Sequence, residues 1–335
     1  MPLRMHLSTD DLTRVRTAQA PDPMWESLLS MHVLRSADAP AVYGRWRRAT
    51  PVTLGAAARR ILRLAPPTGY SPDFLTPAAG ESGLESGVAA LLATPRHRLR
   101  HDLTELARTG PPLPSWARAL ADGEREAVRQ LSEGVRAYFR TALEPYWPHI
   151  GSRFEAERTA HGHTLAEQGV SGLLSTLHPL LVWESPVLTV HGPLGERDLH
   201  LDGRGVLLLP SYFCWGAPTV LRDPTLPPVV VYPMAHRTGT TLTPDTRGEP
   251  AGTSLEGLIG RTRAAILRNA VGGRTTTALA RAAGVSPGTA SHHASVLREA
   301  GLVTTRRKGP SVLHVATPLG QALLGGRSRH EARRG

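Results

Sequence analysis

The sequence predicts an α+β protein with two domains: a mainly helical N-terminal domain with a small antiparallel sheet, and a small, strongly basic C-terminal domain. Three observations support this prediction. The chain has 335 residues, enough for two separate cores. Apolar residues follow a helical spacing until about Pro186 and then occur in short strand-like runs. Positive charge is concentrated after Ser254.

The helical part of the first domain is read from apolar positions that recur every three or four residues, with Pro-rich stretches between them. This spacing predicts helices near Met24–Arg35, Leu54–Leu64, Glu124–Leu143, Gly151–Gln168 and Val170–Leu177.

The strand part consists of short apolar runs with turn residues between them. We expect strands at Val187–Val190, Asp198–Leu201, Val206–Leu209 and Val229–Tyr232. A turn at 202–205 separates the second strand from the third. The predicted domains are 1–233, a linker over 234–253, a second domain over 254–324 and a basic, unstructured tail over 325–335.

Few side chains of the first domain suggest chemistry, and we expect no metal site and no cofactor. A lone cysteine, Cys214, can form neither an internal disulfide nor a thiolate-rich metal site, and its aromatic flanks indicate a buried thiol. On a helix, His161 and His163 point apart, so we expect an exposed helix surface there rather than a ligand pair. Alternation along a strand places three polar residues on its solvated face, namely Asp198, His200 and Asp202.

The charge of the chain is divided unevenly. From Ser254 to Gly335 there are thirteen basic and three acidic residues, so this segment carries +10 of the total +11. A near-neutral body with a cationic terminal domain is typical of a protein that contacts the phosphate backbone of nucleic acid.

A helix–turn–helix pattern lies within this basic segment. Thr275 is a favourable N-cap for a helix that ends at Gly284, and Ser286 followed by Pro287 starts a second helix. Unrolled at about 100° per residue, the second helix turns Ala290, Ala294 and Leu297 toward a core. Its other side carries mostly short side chains: Gly288, Ser291, His292, Ser295 and Glu299. For His292, DNA contact and plain solvent exposure both remain open, whereas His293 is predicted to be packed and hydrogen-bonded at the rim of the core.

A two-stranded hairpin follows. Leu302–Arg307 and Ser311–Ala316 read as strands around 308–310, and the cationic tip suits a wing lying along phosphates. An apolar stripe before the first motif helix predicts a supporting helix, with Leu255, Leu258, Ile259, Ile266 and Leu267 facing the core.

The stretch Thr289–Val303, TASHHASVLREAGLV, closely resembles the recognition-helix pattern of the ArsR-type winged helix-turn-helix repressors. The resemblance covers about a fifth of the chain, and it implies a winged helix-turn-helix domain, double-stranded DNA as partner and a homodimer on a two-fold operator. The regions Met1–Arg16 and His178–Tyr212 also resemble an uncharacterised domain found ahead of such modules in actinobacteria. Two departures matter. Ala278 stands where the family has a capping Glu, and no paired cysteines are present, so thiolate metal sensing is not expected.

We therefore expect a DNA-binding transcriptional regulator, a repressor by resemblance, that acts in the cytoplasm and is not an enzyme; no nucleophile elbow, phosphate-binding loop or zinc-protease pair occurs in the chain. The predicted DNA contacts are Ser286, Thr289, Ser291, His292, Ser295, Arg306, Arg307 and Lys308.

The N-terminal domain is predicted to sense or to dimerise, and the sequence leaves open whether a small-molecule effector exists. The rival prediction is an enzyme or ligand-binding N-terminal domain with a winged helix used for regulation or protein docking. Aromatic residues there would fill the core or line a pocket, namely Trp147, Trp183, Tyr212 and Trp215.

Overall fold

A computed structural model describes residues 2–67, 69–110, 112–193, 195–235, 242–244, 259–271, 273–308 and 311–325, without the side chains of residues 306–308, 311, 321, 322 and 325. The chain divides into two compact units, Met1–Asp245 and Thr246–Gly335. In the part of the chain so described, no helix is long and apolar enough to cross a membrane.

Helices form most of the first unit. In chain order they are α1 (Thr9–Thr13), α2 (Pro23–Leu34), α3 (Pro40–Thr53), α4 (Ala56–Ile61), α5 (Leu84–Leu92), α6 (Arg96–Thr109), α7 (Trp116–Ala121), α8 (Arg125–Tyr138) and α9 (Trp147–Thr176). The most buried of them, α2, starts where Asp22 accepts hydrogen bonds from the backbone of Met24 and Trp25, with Pro23 at its first position. Within α9 the backbone leaves helical geometry at Gly169, between the two helices predicted there.

Two four-stranded sheets complete the first unit, built from β1 (Leu3–His6), β2 (Arg16–Thr17), β3 (Leu181–Glu184), β4 (Val187–Val190), β5 (Arg197–His200), β6 (Leu207–Ser211), β7 (Thr219–Val220) and β8 (Val229–Pro233). Their strand orders are β3-β4-β1-β5 and β2-β6-β8-β7. The α+β class is confirmed, but the pairing is mixed rather than antiparallel: β1 runs parallel to β5, and β6 runs parallel to both β2 and β8.

The predicted turn at 202–205 joins strands of different sheets, because β5 and β6 do not pair with each other. Position 205 requires a glycine, because its φ is +68° and a Cβ there would overlap the backbone oxygen of Arg14. Its N–H donates to the buried carboxylate of Asp11 at 2.9 Å. Asp202 lies in this turn with φ +53°, so its predicted place on the strand face is wrong.

Asp198 and His200 do lie on the exposed face of β5. Asp198 accepts from Arg4 Nε at 3.0 Å and contacts His6 Nε2 at 2.7 Å. The rings of His6 and His200 stack with centroids 4.4 Å apart. Ion pairs and stacking across β1 and β5 therefore account for these polar residues.

The prediction of an exposed surface at His161 is wrong. The two histidines do point apart, and His163 is exposed, but His161 is buried against β8, with Nδ1 3.4 Å from the hydroxyl of Tyr232. Tyr212 and Cys214 are also buried, whereas Trp215 is 40% exposed. Helical spacing shows which residues share a face; it does not show which face a sheet will cover.

Buried carboxylates in the first unit bind backbone N–H groups of distant loops. Glu26 on α2 accepts from the N–H of Tyr212 at 2.8 Å and of Phe213 at 3.0 Å, just after β6. Asp73 accepts from the N–H of Arg222 at 3.1 Å and of Asp223 at 2.7 Å. Each pairing satisfies loop donors that would otherwise be buried without a partner.

The predicted linker over 234–253 begins too early. Leu242 is fully buried in the core of the first unit, and its N–H donates to the carbonyl oxygen of Val42 at 3.0 Å. The first unit thus includes at least this residue, because an apolar anchor holds the chain there. Residues 245–258 and the predicted tail from 326 onward lie outside the described residues.

Candidate nucleic-acid interface

The second unit contains α10 (Arg261–Asn269), β9 (Arg274–Thr275), α11 (Thr276–Ala283), α12 (Pro287–Glu299), β10 (Val303–Lys308), β11 (Ser311–Ala316) and α13 (Pro318–Gly325). Its core includes Ile266 and Leu267 of α10 and Ala290 and Leu297 of α12, which are buried as predicted, and also Leu279 of α11. Ile259 is half-buried, whereas Leu255 and Leu258 of the predicted stripe lie outside the described residues. The last helix, α13, was not predicted.

The turn between α11 and α12 is built by local caps. Thr275 Oγ1 accepts from the N–H of Ala278 at 3.3 Å, and Gly284 ends α11 with φ +64°. Ser286 Oγ accepts from the N–H of Thr289 at 3.2 Å and starts α12. These contacts confirm the predicted helix–turn–helix boundaries.

The outward side of α12 carries the predicted contact residues of the helix. Ser286, Thr289, Ser291 and His292 are exposed, and Ser295 is half-buried. Three of these hydroxyl groups already have partners: Ser286 and Thr289 bond each other at 2.8 Å, and Ser295 lies 3.2 Å from Arg298 Nη2. The first turns of α12 therefore present short side chains, which suits close approach to a nucleic-acid groove.

The hairpin forms the predicted wing. β10 and β11 pair antiparallel from Val303 opposite Ala316 to Lys308 opposite Ser311, and β9 adds a third strand beside β11. The backbone of Arg306, Arg307 and Lys308 belongs to β10. The side chains of these three residues, and the two-residue tip, lie outside the described residues.

A buried histidine connects the wing to the helices, and sequence reasoning missed it. His314 on β11 lies 3.0 Å from Thr276 Oγ1 through Nε2 and 3.2 Å from Thr305 Oγ1 through Nδ1. Burial lowers the pKa of His314, so the ring is neutral at pH 7 and one of its nitrogens accepts a hydrogen bond. The signal in the sequence was a histidine between apolar residues of a predicted strand, with a threonine opposite it on the hairpin, Thr305.

His293 differs from its prediction. The ring is half-buried at the rim of the core, but its Nδ1 is buried and has no hydrogen-bond partner within the described residues. Burial, and then the charge of Arg263, lower the pKa of His293, so the ring is uncharged at pH 7. The predicted hydrogen bond is therefore not formed by these residues.

We expect His314→Ala to destabilise the second unit by about 2–3 kcal/mol, because it leaves two threonine hydroxyls without their partner and opens a cavity. All the tryptophans lie in the first unit, so the measurement is hydrogen exchange of peptides from α11, β10 and β11. His292→Ala is the matched control, since His292 is exposed and should leave exchange unchanged. Equal protection in both variants would show that His314 does not hold the wing.

Two helices joined by a tight turn that contains glycine, followed by a β-hairpin, define the winged helix-turn-helix class of DNA-binding domains. A family model described as a helix-turn-helix domain matches residues 259–306, from just before α10 into β10. No curated protein and no solved structure matches the chain. Geometry and family match together identify a helix-turn-helix DNA-binding domain in the second unit, and at this general level the chain is a DNA-binding transcriptional regulator.

Proposed function

We propose that this chain is an ArsR-type transcriptional repressor that binds a two-fold operator as a homodimer, with the first unit serving for sensing or dimerisation rather than catalysis. The observation that carries the proposal is the exposed, short-side-chained first half of α12, followed by a hairpin whose strand carries three consecutive cations. A helix with this surface can enter the major groove while the hairpin tip follows the phosphates.

The ArsR-type subclass is supported by the residues of α12 and of the segment after it. Ala290, Ala294 and Leu297 face the core while Ser291 and His292 face outward, which is the orientation that the resemblance implies. Because the described domain holds no cysteine, any effector response of this chain would work without thiolate metal binding.

Electrophoretic mobility shift of the full chain on genomic fragments tests the proposal. We expect selective retardation of fragments that contain an inverted repeat, surviving excess competitor DNA, with two chains per site. No retardation even at low salt would contradict the proposal and would favour a winged helix used for protein docking. Retardation without sequence preference would contradict the operator-binding role.

Changing Arg306, Arg307 and Lys308 together to alanine should weaken binding to every DNA sequence. Each phosphate contact that is lost reduces the slope of log affinity against log salt by about 0.9, so the slope should fall by about 2 to 3 per chain. The measurement is fluorescence anisotropy with a labelled duplex at several salt concentrations. The matched control removes three exposed cations of the first unit, Arg45, Arg48 and Arg125. If both triple variants kept the wild-type slope, the wing would not contact phosphates.

A further inference from the structure

The first unit contains a partly open cavity of about 240 Å³ between α2, the segment around Tyr70, α6 and β7. One side is a single face of α2, formed by Trp25, Leu28, Leu29 and His32, which are spaced as neighbours on a helix. Val220 of β7 adds an apolar side chain. The wall can therefore hold a flat or branched apolar group.

Neutral polar groups line the cavity beside the C-terminal end of α2. His32 Nε2 is 2.8 Å from Ser71 Oγ. Burial lowers the pKa of His32 to about 4, so the ring adds hydrogen-bonding capacity but no charge at pH 7.

The acidic groups of the cavity are already engaged. Both oxygens of Asp73 accept backbone N–H groups, from Arg222 and Asp223. Glu105 accepts from Arg108 Nη2 at 2.8 Å. Within the described residues, both carboxylates thus already have donors, and neither forms an ion pair with Arg197.

Arg197 differs from these groups. Its two terminal nitrogens donate to the carbonyl oxygens of Arg222 at 2.8 Å and Leu221 at 2.9 Å, which fixes the guanidinium at the end of β7. Its Nε is buried without a partner, and within the described residues it forms no ion pair. Burial, and then the charge of nearby Arg222, lower the pKa of Arg197, while the carboxylate of Asp73 acts in the opposite direction. A half-buried cation whose terminal nitrogens donate to neutral carbonyl oxygens is stabilised by an incoming anion.

We propose that this cavity binds a small organic carboxylate, with its anionic group at Arg197 and an apolar body against the α2 face. An apolar cavity of about 150 Å³ accommodates benzene, so the volume here corresponds to a ligand of roughly ten non-hydrogen atoms. The role of this ligand as the effector of a repressor rests on the proposed function, whereas ligand binding by the cavity is independent of that function.

Calorimetric titration of the full chain with three probes of similar size tests the charge requirement: phenylacetate, phenylacetamide and 2-phenylethylamine. We expect phenylacetate to bind with a Kd on the order of 0.1–1 mM, the neutral amide at least ten times more weakly, and the amine not at all. Equal binding of the three probes, or no binding of phenylacetate up to about 10 mM, would overturn the proposal.

Two variants locate the binding. Thr219→Phe fills the cavity from β7 and should abolish phenylacetate binding, whereas Thr189→Phe, also a half-buried strand position but outside the cavity, should leave it unchanged. Arg197→Gln should weaken binding at least tenfold, with tryptophan fluorescence confirming that the first unit is folded. Binding that survives Thr219→Phe would place the ligand elsewhere. Since these titrations contain no DNA, their failure leaves the mobility-shift result standing, and the reverse also holds.

Discussion

Replacing Ser291 with glutamate should reduce the affinity of the chain for its operator at least a hundredfold, which is about 2.7 kcal/mol. Ser291 is exposed on the outward side of α12, one turn from the N-terminus of the helix. If that side enters the major groove, the carboxylate is repelled by the DNA phosphates and loses its hydration. Bringing like charges together in this way costs several kcal/mol.

The fold should tolerate this substitution. An exposed glutamate near a helix N-terminus interacts favourably with the helix dipole, so stability should change by no more than about 0.5 kcal/mol. Fluorescence anisotropy measures the affinity, and circular dichroism on heating measures the stability. Ser171→Glu, an exposed serine on α9 of the first unit, is the control for one added negative charge. Wild-type affinity for Ser291→Glu would show that this side of α12 does not face DNA.

The second large effect is expected at Glu26. Glu26→Ala should reduce the free energy of unfolding of the first unit by about 3–5 kcal/mol, because it removes the acceptor of two buried N–H groups and leaves a cavity. The measurement is urea denaturation followed by tryptophan fluorescence, which reports only the first unit. Glu133→Ala removes an exposed glutamate from α8 and should change the free energy by less than about 1 kcal/mol.

Glu26 also predicts a pH dependence. Burial raises the pKa of Glu26 to about 7, although the two N–H donors act against this. Burial likewise raises the pKa of Asp22 and Asp73 to about 6. The folded state therefore holds protons that the unfolded chain releases near pH 4, and the resulting stability is lost as the pH rises through the folded-state pKa values.

The free energy of unfolding of the first unit should accordingly fall between pH 5 and pH 7.5, and the fall should be smaller in Glu26→Gln, which cannot ionise. Denaturation series at several pH values measure both. The lowered pKa of His32 acts in the opposite direction over this range and is common to both proteins. A fall of equal size in the wild type and in Glu26→Gln would contradict the raised pKa of Glu26.

The sequence predicted the second unit more completely than the first. Thr275, Gly284 and Ser286 define helix ends through contacts within a few residues, so their roles can be read without knowledge of the fold. The outward position of Ser291 and His292 follows from helical periodicity in the same way. Whether the predicted contact residues bind DNA is still a prediction, and the side chains of Arg306–Lys308 are not described.

Only the tertiary structure decided the partners of the distant segments. Leu3 of β1 pairs with Val190 of β4, and a four-residue alternating pattern carries no information about which strand will lie beside it. The burial of His161, the acceptors of Glu26 and the surroundings of Arg197 depend in the same way on segments far apart in the chain. Local hydrogen bonds and periodicity determined the helix–turn–helix unit from the sequence, whereas the sheets and the cavity of the first unit arise from long-range packing that only the folded chain defines.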